Sequence, residues 1–352
     1  MYATEDAARG RQPAGVTDVG FPIPRCLGVG HPVLESVLPV VAESKDVTTD
    51  ATRVHEVAQW LAYEELPFPR FLLPFAVELD QEATIDFILV ANLLNFAYTD
   101  FETGVRFDQI AGGVTYADSD ALLYCLYRGL TDGIDVLDGA HLAQVTTDDL
   151  RRLFRDGTTE LQMLDERAAI LRDAGAVLVE RYDGRFHNLV THSSPSLYDG
   201  GNGLLEVLVR DFSRFDDAAE YNGRTVRFYK LAQLALWFLE VSLPGGLGLS
   251  DLDRLTAFAD YIVPVGLRVL GIFRYSDALE QAINSGRLIE AGSPWEVELR
   301  AHTIYATALL TDEVNALRPP ELQVIVPQID ARFWLPFHKT HHPHHLTRTI
   351  YY

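Results

Sequence analysis

The stretch TTELQMLDERAAILRDAGAVLVERYDG, ending at Gly184, repeats its apolar side chains every three to four positions, which commits it to an amphipathic helix with one buried face. The same period returns in residues 52–66, in DDLRRLFRDG from Asp148, in GNGLLEVLVRDF and in TVRFYKLAQLALWFLEVSL before Pro244-Gly245-Gly246. It returns again in SDALEQAINSG, with Gly286 as its stop. Helix is therefore the expected majority state. Strand-like alternation is scarce, and AVLVERYDGRFHNLV at 176–190 is its best instance. The expected fold class is mainly α, with no repeat period and no low-complexity run.

At 352 residues and 48% hydrophobic, the chain suffices for a substantial core. Lys and Arg total 29 against 50 for Asp and Glu, a net charge of -21 that repels polyanions and argues against a nucleic-acid polymer as partner. No segment reaches the roughly 18 uncharged apolar residues of a membrane span, and the first twenty residues lack the apolar core of a signal peptide. The chain reads as soluble and cytoplasmic, with no membrane partner. Cys26 and Cys125 lie too far apart for a disulfide framework or a zinc-ligand cluster. Beyond Asp330 no acid occurs up to Tyr352, whereas Arg332, Lys339, Arg348 and several histidines do, which makes a local positive island suited to a small anion.

One carboxylate, Asp260 in LTAFADYIVPVGLRVL, stands among apolar and aromatic neighbours, where a charge costs several kcal/mol unless paired. Ser250-x-x-Asp253 can cap a helix through Leu252, Leu255, Ala259 and Ile262, and Pro264 then kinks or ends it at Asp260. A carboxylate held at such a turn between Phe258 and Tyr261 suits stabilisation of a developing cation. An ordinary N-cap for a helix beginning at Pro264 is the plainer reading. Lys230, in RFYKLAQLALWF after Arg227, is the one lysine within an apolar helical run, and a buried pair with Asp260 would perturb the pKa of both. A lysine with its head in solvent is the alternative.

In SPWEVELR, Ser293, Pro294 and Glu296 read as a capping box, and a site role for Glu298 or Arg300 competes with a surface pair between Glu296 and Arg300. The ending HKTHHPHHLTRTIYY has poor spacing for zinc, because Pro343 interrupts any helix. No metal and no cofactor is expected; His345, Arg348, Tyr351 and Tyr352 suit a phosphate instead. NLLNFAYTDFETG sets the rings of Phe96 and Tyr98 beside Asn95, Asp100 and Glu102, groups able to stack on and accept from a flat guanine-like base, unless the rings are core.

From about residue 30 onward the motifs LNFAY, YRGLTDGI, FYKLAQ, TAFADYIVP, RYSDAL, GSPWEVELR, IDARFW and HLTRTIYY occur in order, and together they resemble the queuosine salvage protein family. Thr99, where eukaryotic members carry Trp, and the histidine-rich insertion before His345 depart from that pattern. The resemblance implies a compact helical fold distantly similar to helix-hairpin-helix DNA glycosylases, with LPGGLG as an echo of their hairpin. It divides the chain into an irregular arm, 1–30, and one helical catalytic domain, 31–352, with room for two lobes around a cleft and the C-terminal tail docked at the site. The implied activity is hydrolysis of the N-glycosidic bond of queuosine 5'-monophosphate to queuine, a 7-deazaguanine base, and ribose 5-phosphate.

Asp260 matches the catalytic carboxylate, Lys230 its companion, and Asp330 a family acidic position. Asn95, Phe96, Asp100, Arg227, Tyr261 and Glu298 are the expected substrate contacts, with Arg300, Asp330, His345, Arg348, Tyr351 and Tyr352. A non-catalytic nucleotide-binding module, or another N-ribohydrolase, is the rival reading.

Overall fold

Pro294–Leu317 is the longest helix, and it is apolar or uncharged almost all round, so it belongs inside the molecule and not on its surface. It packs against the helices Pro32–Glu43, Ala51–Leu61 and Val326–Phe337. The computed structural model describes residues 20–68, 75, 77–155 and 157–352. Most of the arm expected at 1–30 lies outside these residues. Its described end runs along the central helix, where Asp312 accepts from Arg25 N (2.6 Å) and Cys26 N (2.9 Å), and Tyr305 donates to the Pro22 carbonyl (3.0 Å).

A second apolar cluster joins the helices Gln81–Leu93, Ser119–Thr131, Leu164–Arg181, Leu204–Asp211 and Lys230–Ser242. Several expected helices are found with shifted ends. The long one begins only at Leu164, after Met163 in the left-handed region (φ 58°). Residues 176–190 are not a strand: they finish that helix, turn at Asp183 and Gly184 (φ 48° and 79°) and begin the helix Phe186–His192.

Among the described residues the strands lie elsewhere, as three antiparallel two-stranded ribbons: Val47–Thr49 with Phe273–Tyr275, Asp108–Ala111 with Val114–Ala117, and Ala218–Tyr221 with Arg224–Arg227. The last two close through Gly112-Gly113 and Asn222-Gly223, all four at positive φ, the backbone a tight two-residue hairpin requires. The protein is about 51% helical, rich in helix but not all-α, and no similarity to DNA glycosylases is seen. The hairpin analogy fails locally as well. After LPGGLG comes only the short turn Leu252–Arg254, not a long helix leading to Asp260.

Residues 255–260, expected to be helical, form a buried irregular segment that pairs with no strand among the described residues and turns where Ala259 N donates to the Ala257 carbonyl (3.1 Å). Buried backbone must be satisfied somehow, and here side chains do it. Gln233 brackets Thr256, accepting from its N–H and donating to its hydroxyl at 2.8 Å each; Asp330 accepts from Phe258 N (2.9 Å); Arg300 Nε donates to the Ala259 carbonyl (3.1 Å). The chain then enters the helix Val263–Val269, with Pro264 in its first turn, where no intrahelical donor is lost.

That helix packs on Val326–Phe337 across Gly266, where a Cβ would stand 2.8 Å from Phe337 and 2.9 Å from Phe333. Gly266→Ala is therefore expected to lower stability by about 1–3 kcal/mol through overpacking, read as an earlier urea midpoint. An unchanged midpoint would show that the rings move aside freely.

Candidate active site

Asp260 opens onto a cavity of about 300 Å³, the size of a small-molecule site. The irregular segment contributes Phe258, Asp260 and Tyr261; the helix from Lys230 contributes its first residue with Leu234 and Trp237; the helix from Val326 contributes Asp330, Trp334 and His338. Ile88, Asn92, Asn95 and Tyr98, together with Asp118, Asp120 and Leu122, close the opposite side, and Tyr352 completes the wall.

Both oxygens of Asp260 are engaged. Oδ1 accepts from Ile262 N (2.8 Å) and Val263 N (3.2 Å), and Oδ2 accepts from Trp334 Nε1 (2.9 Å). The plainer reading, an ordinary N-cap for a helix beginning at Pro264, is not met as stated: the helix begins at Val263 with Ile262 as its N-cap, and Asp260, two residues before that cap, accepts from the N–H groups of both. It also lines the cavity. Burial pushes its carboxyl above the usual range, while the Lys230 charge and the three donors pull it back.

Burial lowers Lys230 to about 8, opposed by Asp260 and reinforced by Arg300 and Arg214. Lys230 begins its helix beside the cavity, and its ammonium makes no hydrogen bond or ion pair among the described residues. The expected Lys230–Asp260 pair is therefore an attraction across the site, not a contact. Asp330 is pushed well above the carboxylate range by burial first and the Asp260 charge second.

Of the expected site residues, the cavity gathers Asp260, Lys230, Asn95, Tyr261, Asp330 and Tyr352. The others lie outside its wall. Phe96 is fully enclosed, with the guanidinium of Arg167 at 4.0 Å and that of Arg214 at 4.8 Å from its ring centre. Asp100 shapes its own turn, accepting from Glu102 N and Thr103 N (3.0 and 2.6 Å). Arg227 lies in a ribbon strand and takes a hydrogen bond from Ser36 there. Glu298 faces away and accepts from Asp46 N (2.8 Å), Val47 N (3.1 Å) and Tyr221 (2.8 Å).

Arg300 is buried under the site, in a bidentate pair with Asp217 and over the Phe228 ring at 3.9 Å. The capping box is not formed, because Glu296 accepts from Gly292 N (3.1 Å) and from Tyr352 (3.0 Å), while the Ser293 hydroxyl caps nothing. The tail docks: Ile289 N donates to the Leu346 carbonyl (2.7 Å), buried His345 lies 3.3 Å from the Tyr352 hydroxyl, and Ala97 N donates to the Tyr352 carbonyl (3.2 Å). Tyr351 is half-buried, and exposed Arg348 reaches Glu166 (3.3 Å).

Sequence reasoning passed over Trp334, although it lies one helical turn from Asp330 and so on the same face. It also passed over Asp118, Asp120 and His338. His338 stacks on Trp334 at 4.4 Å and lies 3.6 Å from Asp118, with burial lowering its pKa to about 4. Among the described residues, no group of three or more His, Cys, Asp or Glu is arranged to hold a metal ion.

A model of the queuosine salvage protein family matches residues 75–352. A protein of Sphaerobacter thermophilus is 36% identical over 327 residues, covering 91% of this chain and 97% of its own. One of Mus musculus is 29% identical over 351 residues, covering 90% and 98%, and one of Nematostella vectensis is 31% identical over 298 residues, covering 77% and 82%. All three are named queuosine 5'-phosphate N-glycosylase/hydrolase.

Removing Asp217 would leave the Arg300 charge beneath the site with only Glu296, at 3.5 Å. Asp217→Ala is expected to cost about 3–5 kcal/mol of stability, far more than an exposed pair would. A loss under about 1 kcal/mol in a urea titration would mean that Arg300 finds another partner.

Proposed function

The chain belongs to the queuosine salvage protein family, and on that premise we propose that it hydrolyses the N-glycosidic bond of queuosine 5'-phosphate, releasing queuine and ribose 5-phosphate. The observation that carries the reading is Asp260, buried, held by three N–H donors and opening onto a cavity that Lys230 also lines, its ammonium without a partner among the described residues. The ligand is a free nucleotide, since a net charge of -21 disfavours a polyanion. The cytoplasm is the proposed compartment; among the described residues no helix is long and apolar enough to cross a membrane.

Breaking a ribosyl C–N bond builds positive charge on the sugar. An anion at 4 Å is worth about 4 kcal/mol at an effective dielectric of 20, roughly three decades in rate. Asp260 supplies that anion, either facing the sugar directly or taking the proton of the attacking water. Its donors are fixed before substrate arrives, so little reorganisation is needed at the moment of reaction. Asn95 and the rings of Phe258, Tyr261 and Trp237 are the groups offered to the base, and Lys230 is the cation offered to the phosphorylated sugar.

Incubation with queuosine 5'-phosphate, queuosine and guanosine 5'-monophosphate, followed by chromatography, is expected to show free base from the first alone. Asp260→Asn should slow that release about 10³-fold; a variant with full turnover would leave a binding module. Lys230→Met removes the cation that offsets burial, so the pKa of Asp260 rises further. Because Asp260 acts ionised, activity is lost as pH falls through that pKa, and the acid limb of kcat/KM should move to higher pH in the variant. A limb that stays in place would detach Lys230 from Asp260.

A further inference from the structure

We propose that Asp330 is the acid of this reaction, delivering a proton to the departing base from the carboxyl oxygen the protein leaves free. The assignment rests on the hydrolysis proposed above and goes beyond it. Asp330 and Trp334 are one turn apart on the helix Val326–Phe337, and they grip the same short segment: Asp330 Oδ2 accepts from Phe258 N (2.9 Å), and Trp334 donates to Asp260 (2.9 Å). Two carboxyls are thereby strung side by side along one wall of one cavity. They are not equally provided for. Asp260 has three N–H donors, whereas Asp330 has only Phe258 N among the described residues.

Two buried carboxyls that feel each other's charge resist ionising together, and the one with more donors keeps the charge. That leaves Asp330 as the neutral partner, in line with the strong upward push that burial and Asp260 give it. With Oδ2 occupied as an acceptor, its proton sits on Oδ1. Lys230 is the cation acting on both carboxyls. The remaining ionisable groups of the wall are Asp118, Asp120, His338, Tyr98, Tyr261 and Tyr352, and Asp118 is already paired with Arg106.

A 7-deaza base has carbon where guanine has N7, so the usual protonation there is closed to it. When the C1'–N9 bond breaks, its electron pair passes to the base, where N9 or N3 takes the proton from Asp330. Water gives its hydroxyl to C1' and its proton to Asp260. Asp260 then releases that proton to solvent and Asp330 regains one, so one water is consumed per turnover. The division of labour matches the carboxyl pairs of O-glycoside hydrolysis.

The test is the pH profile of queuine release by wild type, Asp330→Asn, Lys230→Met and the two combined. Wild-type kcat/KM should fall at high pH as Asp330 ionises; Asp330→Asn should be about 10²–10⁴-fold slower, and in the Lys230→Met background, which lacks the ammonium lowered to about 8, the alkaline limb should persist with Asp330 and vanish with Asp330→Asn. A slower Asp330→Asn protein that keeps the limb in that background would reduce Asp330 to a support for Phe258, and one with full activity would remove it from the mechanism. In wild type, the limb should barely shift on warming, as for a carboxyl; a marked shift to lower pH would identify an ammonium and overturn the assignment even if Asp330→Asn fails to fold. Wild type that releases no queuine would overturn the function itself, whereas release with the wrong limb would overturn only the role of Asp330.

Discussion

Residues 255–260 cross the interior in no helix or strand; Ala259 N turns back to the Ala257 carbonyl (3.1 Å), and other buried backbone groups there take partners from elsewhere. The partners are Gln233, Asp330 and Arg300, and each comes from a different helix. Helix packing and site geometry are therefore one problem. Shifting any of these helices unsatisfies buried backbone and displaces Asp260 together.

The buried charges around this segment have separate tasks. Arg300 is paired with Asp217, reaches Glu296 at 3.5 Å and gives its Nε–H to the Ala259 carbonyl, which makes it a fastener. Among the described residues the Lys230 ammonium has no such partner. Asp260 has three N–H donors and Asp330 one among the described residues, the inequality on which their proposed division of labour rests. The tail closes the assembly, because Tyr352 links the wall to Glu296 and to the Ala97 backbone.

Much of this could be read from the chain, but unevenly. Asp260 stood out because its neighbours are apolar and Pro264 follows it, whereas the Asn222-Gly223 hairpin dipeptide went unread while strand was sought at 176–190. The helix expected through Leu255 and Ala259 failed for a definite reason. Apolar spacing reports which side chains are buried, yet cannot report that glutamine, aspartate and arginine side chains from distant helices will take over the backbone hydrogen bonds. Phe96 was offered as a stacking face, and only long-range folding brings Arg167 and Arg214 to enclose it. Asp330 and Trp334 share a helix face by simple spacing, but their common target at Phe258 and Asp260 exists only in three dimensions.

An ionised Asp260 facing a sugar that turns cationic is most directly tested by binding, without turnover. A ribose 5-phosphate mimic carrying a protonated ring amine at the anomeric position should bind wild type at least about 10²-fold more tightly than its neutral carbocyclic counterpart, as transition-state mimics do. That preference should vanish in Asp260→Asn. Equal affinity of the two mimics for wild type would contradict a negative charge at that position.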